Sequence, residues 1–198
     1  MHEPELLGVL DALAFSADRH RHQKRKGKLA SPYINHPIDV ALIIVRDGGV
    51  TTAPVLTAAL LHDTIEDTDT TAAEIAERFG REVAGIVLEV SDDPALAKAE
   101  QRRRQESGAA ELSYGAKVVR IADKISNVRD LVDDPPSTWG VRLRRDYLEW
   151  TKRVVDRCRG TNEGLERAYD DVYARARSVH DSLALDVLRS GRPDESFP

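Results

Sequence analysis

Apolar residues recur three and four positions apart along nearly the whole chain, which is the period of a helix with one buried face. Leu6, Leu7, Leu10, Leu13, Ala14 and Ala17 predict a first amphipathic helix over about residues 5–22. Residues 31–37 read as a turn, with Pro37 placed where the first turn of a helix tolerates proline, so His36 falls at the entrance of a second helix carrying Ile38, Ala41, Leu42 and Val45. Asp47-Gly48-Gly49 interrupts the pattern, and Thr52 with Pro54 restarts it. The third predicted helix runs unbroken from there through an almost wholly apolar stretch, residues 55–61, into the charged residues 62–67.

Thr71-Ala-Ala-Glu74 is a capping box for a short helix that stops at Gly80. Val83, Ile86, Val87 and Val90 are β-branched enough to suggest a strand, but their spacing of three and four predicts a helix. Residues 98–105 give a charged helix with little apolar face, suited to the surface or to covering an opening. Val118, Ile121, Ala122, Ile125, Val128 and Val132 predict the next helix, which Asp133-Asp-Pro-Pro136 ends. Leu143, Tyr147, Trp150, Val154 and Val155 mark another, and a last one is predicted from Asn162 to about Arg189.

Hairpin signals and alternating strand-like runs are hard to find, so the expected fold class is all-α, a single helical bundle. Residues 1–180 are expected to form one domain, and residues 181–198 the end of the last helix and a disordered tail. With 198 residues, 41% hydrophobic and 32% charged, the chain can bury a substantial core. A net charge of -5 argues against a general nucleic-acid binder. The single cysteine, Cys158, excludes an internal disulfide and reads as a packing residue. The amino terminus has no leader pattern and no stretch is long and apolar enough for a membrane span, so the expected location is the cytoplasm. Self-association is left open, a homo-oligomer being compatible with the sequence.

The chemistry concentrates in Ala59-Leu-Leu-His-Asp-Thr-Ile-Glu-Asp-Thr68. His62 and Asp63 are adjacent, and Glu66 and Asp67 follow each by four, so on one helix the second pair stands a turn beyond the first. An imidazole and a carboxylate can bind a divalent ion, and neighbouring carboxylates can manage the proton of a water. A His-Asp pair at a polar helix end is common, but here it follows a segment that should be buried, and buried acids need partners. Asp123 poses the same question between Ile121 and Ile125, with Lys117, Arg120 or Lys124 as possible ion-pair partners and Asn127 one turn on. Arg19, Arg21, Lys24, Arg25, Lys26 and Lys28 form a basic run that is either a solvated helix end or a clamp for a polyanion.

The order His36, His62-Asp63, Asp123 on successive helices resembles the HD-domain phosphohydrolases. Tyr33-Ile-Asn-His-Pro37, the decapeptide at 59–68, Phe79-Gly80 and Ala122-Asp-Lys-Ile-Ser-Asn-Val-Arg-Asp-Leu131 are similar to the hydrolase domain of RelA/SpoT proteins, above all to the stand-alone small alarmone hydrolases of metazoan SpoT-homologue type. The resemblance implies an HD-domain bundle in which His36, His62, Asp63 and Asp123 hold one divalent ion, manganese, while Glu66 and Asp67 handle the attacking water. It implies hydrolysis of the 3′-pyrophosphate of ppGpp or pppGpp, without synthesis. By the same resemblance Arg25 stacks on guanine, Lys26 meets phosphate, and Asn127 and Tyr147 contact the nucleotide. Ser126 and Leu143 depart from the family's usual residues, which implies an altered base or sugar preference. Competing expectations are adenine alarmones or the 2′-phosphate of NADPH as substrate, and a non-catalytic module using the basic run and Arg102 to Arg104 to hold RNA or a partner.

Overall fold

The structure is a computed structural model that describes the backbone of residues 3–190 and side-chain burial as far as residue 185. It is built from helices, α1 (Glu3–Arg19), α2 (Asn35–Arg46), α3 (Ala53–Leu61), α4 (Thr64–Asp67), α5 (Ala72–Phe79), α6 (Arg81–Val90), α7 (Lys98–Gly108), α8 (Tyr114–Asp133), α9 (Val141–Arg157) and α10 (Glu163–Ser190), with a short 3-10 turn at Ala109–Glu111. The expected all-α bundle is what forms. The expectation of a disordered tail falls on residues 191–198, outside the described residues.

Two helices organise the rest. Every residue of α3 from Val55 to Leu61 is buried, because α1, α2, α6 and α8 pack around it, and a helix apolar on all faces must be enclosed. α8 is begun by the Ser113 side chain, which accepts from the Ala116 N–H. It buries Val118, Ile121, Ala122, Ile125 and Val128 against α2, α3, α6, α9 and α10. Half of the predicted capping box at Thr71 forms: its side chain accepts from the Glu74 N–H at 3.2 Å, while the Glu74 carboxylate turns to Arg19. The 83–90 segment is helical, as its period requires. Cys158 is buried, with its thiol near the Ala109 carbonyl. No helix of the described residues is long and apolar enough to cross a membrane.

Two local expectations are corrected. The third helix does not run unbroken to Asp67: α3 ends at Leu61 and α4 starts at Thr64. The His62 ring takes the Ala59 carbonyl at 2.8 Å and the Thr64 hydroxyl takes that of Leu61 at 2.7 Å, and such side-chain bonds compete with the helical ladder. The first helix stops at Arg19, so most of the basic run lies in a loop. That loop is stitched by Tyr33 N–H to Gln23 at 3.0 Å and Arg25 N–H to Ser31 at 2.9 Å. It then crosses the end of α8, where a Cβ on Gly27 would collide with the Asp134 carboxylate.

Candidate metal centre

α2, the α3–α4 break and α8 bring three distant segments to one point. The His36 Nε2 is 3.2 Å from Asp123 Oδ1 and 3.6 Å from Asp63 Oδ2. The His62 Nε2 is 3.2 Å from Asp63 Oδ2 and 3.8 Å from Asp123 Oδ1. His36, His62 and Asp123 are buried and present ligand atoms all within 4.8 Å of one another. Three of the four residues expected to hold an ion thus form one mutually close set, and Asp63 adjoins it through both imidazoles. Because the Ala59 carbonyl can only accept, His62 carries a hydrogen on Nδ1, and that bond turns the buried Nε2 towards Asp63 and Asp123. Ring nitrogens and carboxylates turned to one point are a donor set that a divalent cation would satisfy.

The electrostatics agree. Burial opposes charge on His62, but Asp63 and Asp123 hold its pKa up at about 9, while burial pushes that of His36 down. Asp63 stays ionised well below the usual range despite its burial, because His62 and His36 stand against it. The acids favour a proton on the His62 imidazole, and a metal ion would take that proton's place.

Each ligand is oriented by a partner, and for His36 and Asp63 that partner carried no signal in the sequence. The His36 Nδ1 meets the Ser126 hydroxyl at 3.0 Å, the Tyr33 hydroxyl donates to Asp63 Oδ2 at 2.6 Å, and Asp123 receives Lys124 Nζ at 3.0 Å and Asn127 Nδ2 at 2.6 Å. Of the ion-pair partners considered for Asp123, Lys124 is the one that serves. Arg120 instead donates to the Val90 carbonyl at 2.9 Å.

A cavity of 340 Å³ opens from this centre, and Glu66 and Asp67 line it. The Glu66 Oε1 receives the Asp92 N–H at 2.5 Å. Burial raises the Glu66 pKa to about 7, against the pull of that N–H. Asp67 stands at the cavity rim, where partial loss of water and the charge of Asp63 raise its pKa, and its carbonyl receives Gln23 Nε2 at 2.6 Å.

Of the six-cation run only Lys24, Arg25 and Lys26 reach the cavity. Arg19 pairs with Glu74 and Arg21 with Asp18. Arg25 is braced by Asp130 at 2.7 and 2.9 Å and by Asn127 at 2.8 Å, with its guanidinium over the Tyr33 ring. Asn127 thus bridges Arg25 to Asp123. Tyr147 is half-buried between Trp139 and Trp150, and Arg102 lies over Tyr147 and Trp150 at 5.6 and 5.4 Å. Arg103 and Arg104 turn away to Glu100. The implied preference change at Ser126 and Leu143 finds no support in their positions: Ser126 is buried behind His36, and Leu143 is exposed on α9 outside the cavity lining.

Comparison with known proteins gives a consistent answer. A family model described as HD domain matches residues 12–148. The chain is 46% identical over 169 residues to the mouse guanosine-3′,5′-bis(diphosphate) 3′-pyrophosphohydrolase MESH1, covering 85% of this chain and 94% of that protein. A guanosine-3′,5′-bis(diphosphate) 3′-pyrophosphohydrolase of Aquifex aeolicus is 38% identical over 123 residues, 61% of this chain and 17% of that much longer one. Among solved structures, one described as a metazoan ortholog of SpoT that hydrolyzes ppGpp superposes with a TM-score of 0.82 at 41% identity, covering 85% of this chain and 94% of its own. A Listeria monocytogenes protein superposes with a TM-score of 0.58 at 30% identity, covering 71% and 95%.

Proposed function

This chain belongs to the HD domain family, and from that premise we propose that it is a metal-dependent hydrolase that removes the 3′-pyrophosphate of ppGpp and pppGpp. The observation that carries the reading is the closeness of buried His36, His62 and Asp123 to one another, with Asp63 against both imidazoles. A divalent ion held there supplies Lewis acidity towards a phosphoryl oxygen and makes a nearby water more acidic. Two nitrogen and two oxygen ligands suit manganese, iron or zinc, and we take manganese as the resident ion.

The chain's own residues divide the remaining work. Glu66, with its pKa near neutrality, accepts the proton of the attacking water. Water oxygen bonds to the phosphorus on the ribose 3′-oxygen as that P–O bond breaks, and the proton taken up by Glu66 returns to the leaving 3′-oxygen, giving GDP or GTP and pyrophosphate. Asp67, beside it at the cavity edge, orients the water. Lys24, Lys26 and Arg102 offset the substrate's negative charge. Arg25, its edge fixed by Asp130 and Asn127, presents a planar cation to the base, and Tyr147 backs the nucleotide from the aromatic wall. A polyanion-binding module without catalysis is disfavoured, because Arg19, Arg21, Arg103 and Arg104 are engaged with acids away from the cavity.

The test is direct. Purified protein with manganese should release pyrophosphate from ppGpp, lose that activity on chelation and regain it when the ion is restored. Intact ppGpp after prolonged incubation with the metal-loaded protein would overturn the assignment.

A further inference from the structure

α7 has the weakest apolar reason of the long helices to sit where it does. Its sequence is Lys-Ala-Glu-Gln-Arg-Arg-Arg-Gln-Glu-Ser-Gly, and only Gln101 in it is buried. Directional bonds hold it instead. The Trp150 indole donates to the Arg102 carbonyl at 3.1 Å, Gln101 Nε2 to the Asp93 carbonyl at 2.9 Å, and Gln105 Nε2 to Asp92 Oδ2 at 2.7 Å. Gln101 and Gln105 are one helical turn apart, so a single face of α7 grips two consecutive residues of the loop after α6. The N–H of the first of those residues, Asp92, is the group that binds Glu66 Oε1 at 2.5 Å.

Building on the hydrolase reading above, we propose that Gln105 is a positioning residue for that reaction. By holding the Asp92 carboxylate it aims the Asp92 N–H that orients Glu66, so the other carboxylate oxygen of Glu66 faces the water. The residue type fits the task. An amide N–H binds the Asp92 carboxylate without bringing a charge next to Glu66. A lysine or arginine there would compete for Glu66 as an ion pair, and a glutamate would repel Asp92. A backbone N–H is also a donor that neither titrates nor changes rotamer, so its aim depends only on where the loop is held. Since small displacements of a reacting group cost large factors in rate, a polar clasp on the loop is enough to matter.

The decisive measurement is steady-state hydrolysis of ppGpp by the manganese-loaded enzyme, with Gln105→Ala and Gln105→Glu made in the native chain and in a Glu66→Gln background. Gln105→Ala should lower kcat about tenfold with KM within about twofold and metal content unchanged, and Gln105→Glu should lower it further. In the Glu66→Gln background neither change should add to the loss. A separate signature is the Asp92 amide proton, read by NMR with magnesium as the bound ion: far downfield in the native enzyme, it should move upfield in Gln105→Ala and in Glu66→Gln. An unchanged kcat, an equal loss in both backgrounds, or an Asp92 resonance unmoved by Gln105→Ala would overturn the positioning role. Failure of the native enzyme to release pyrophosphate would instead overturn the hydrolase reading on which it rests.

Discussion

The floor and the roof of the cavity are made by opposite means. The floor, α2, α3 and α8, is a hydrophobic core into which a few polar groups have been admitted, each ligand locked by a buried partner such as Ser126, Lys124 or the Ala59 carbonyl. The roof, α7 with the loop after α6 and the 20–34 loop, is held by amides, guanidinium groups and ring faces. A floor of this kind fixes a metal geometry to fractions of an ångström, since packed helices do not deform continuously. The roof can accept and release a large, highly charged substrate, because its contacts exchange with water at little net cost.

The contrast is broken most severely from below. Asp123→Ala should remove the ion and reduce hydrolysis about a thousandfold or more, while also leaving Lys124 buried without its acid; metal analysis beside the rate assay checks both. Glu66→Gln should cost about a hundred- to ten-thousandfold in kcat with the ion still bound. The same substitution should make the metal-free protein more stable in alkali. Glu66 has its pKa raised from 4.5 to about 7, so the folded state holds its proton more tightly than the unfolded chain does, and burying the carboxylate costs stability increasingly from about pH 4.5 to 7 and fully above. Thermal melts of Glu66→Gln should therefore lie above those of the native chain at pH 8 and meet them below about pH 4.5. An added divalent ion, by favouring the carboxylate, should narrow the gap.

A smaller effect probes the floor's supporting layer. Ser126→Ala frees the His36 ring and should weaken metal binding by about 10–100-fold while leaving the discrimination between guanine and adenine substrates unchanged. Calorimetric titration with manganese and competition assays would show both, and a switch in base preference would return Ser126 to the substrate side. The smallest effect is expected on the outer face of the roof. Arg103→Ala, which loses only a surface pair with Glu100, should stay within about twofold of native kcat/KM.

How much of this was legible follows the same division. In the floor, polar residues stood out against an apolar period: His62-Asp63 after seven enclosed positions, and Asp123 between two isoleucines, each raised the question of a partner. Near partners such as Lys124 and Asn127 were legible, but the distant ones were not. Tyr33 lies 30 residues from Asp63, Ser126 lies 90 from His36 and Asp130 lies 105 from Arg25, and no local pattern encodes such pairs. The basic run looked like one clamp, yet the end of α1 at Arg19 sends half of it elsewhere. Gln101 and Gln105 carried no signal, because a glutamine one turn from another on a charged helix is ordinary until the loop it grips is known.

By itself the amino-acid sequence determined the helices, their order and the residue types able to bind a cation, because helical period and burial preference are written in spacings of three and four. The tertiary structure alone decided which of many acids and bases share a centre, which cations face the cavity, and that a helix break at His62 and Asp63 turns them towards His36 and Asp123. The physical reason is range. Periodicity acts over a turn or two, whereas a hydrogen bond or an ion pair is satisfied by whatever the packed core brings within about 3 Å, however far away it lies along the chain.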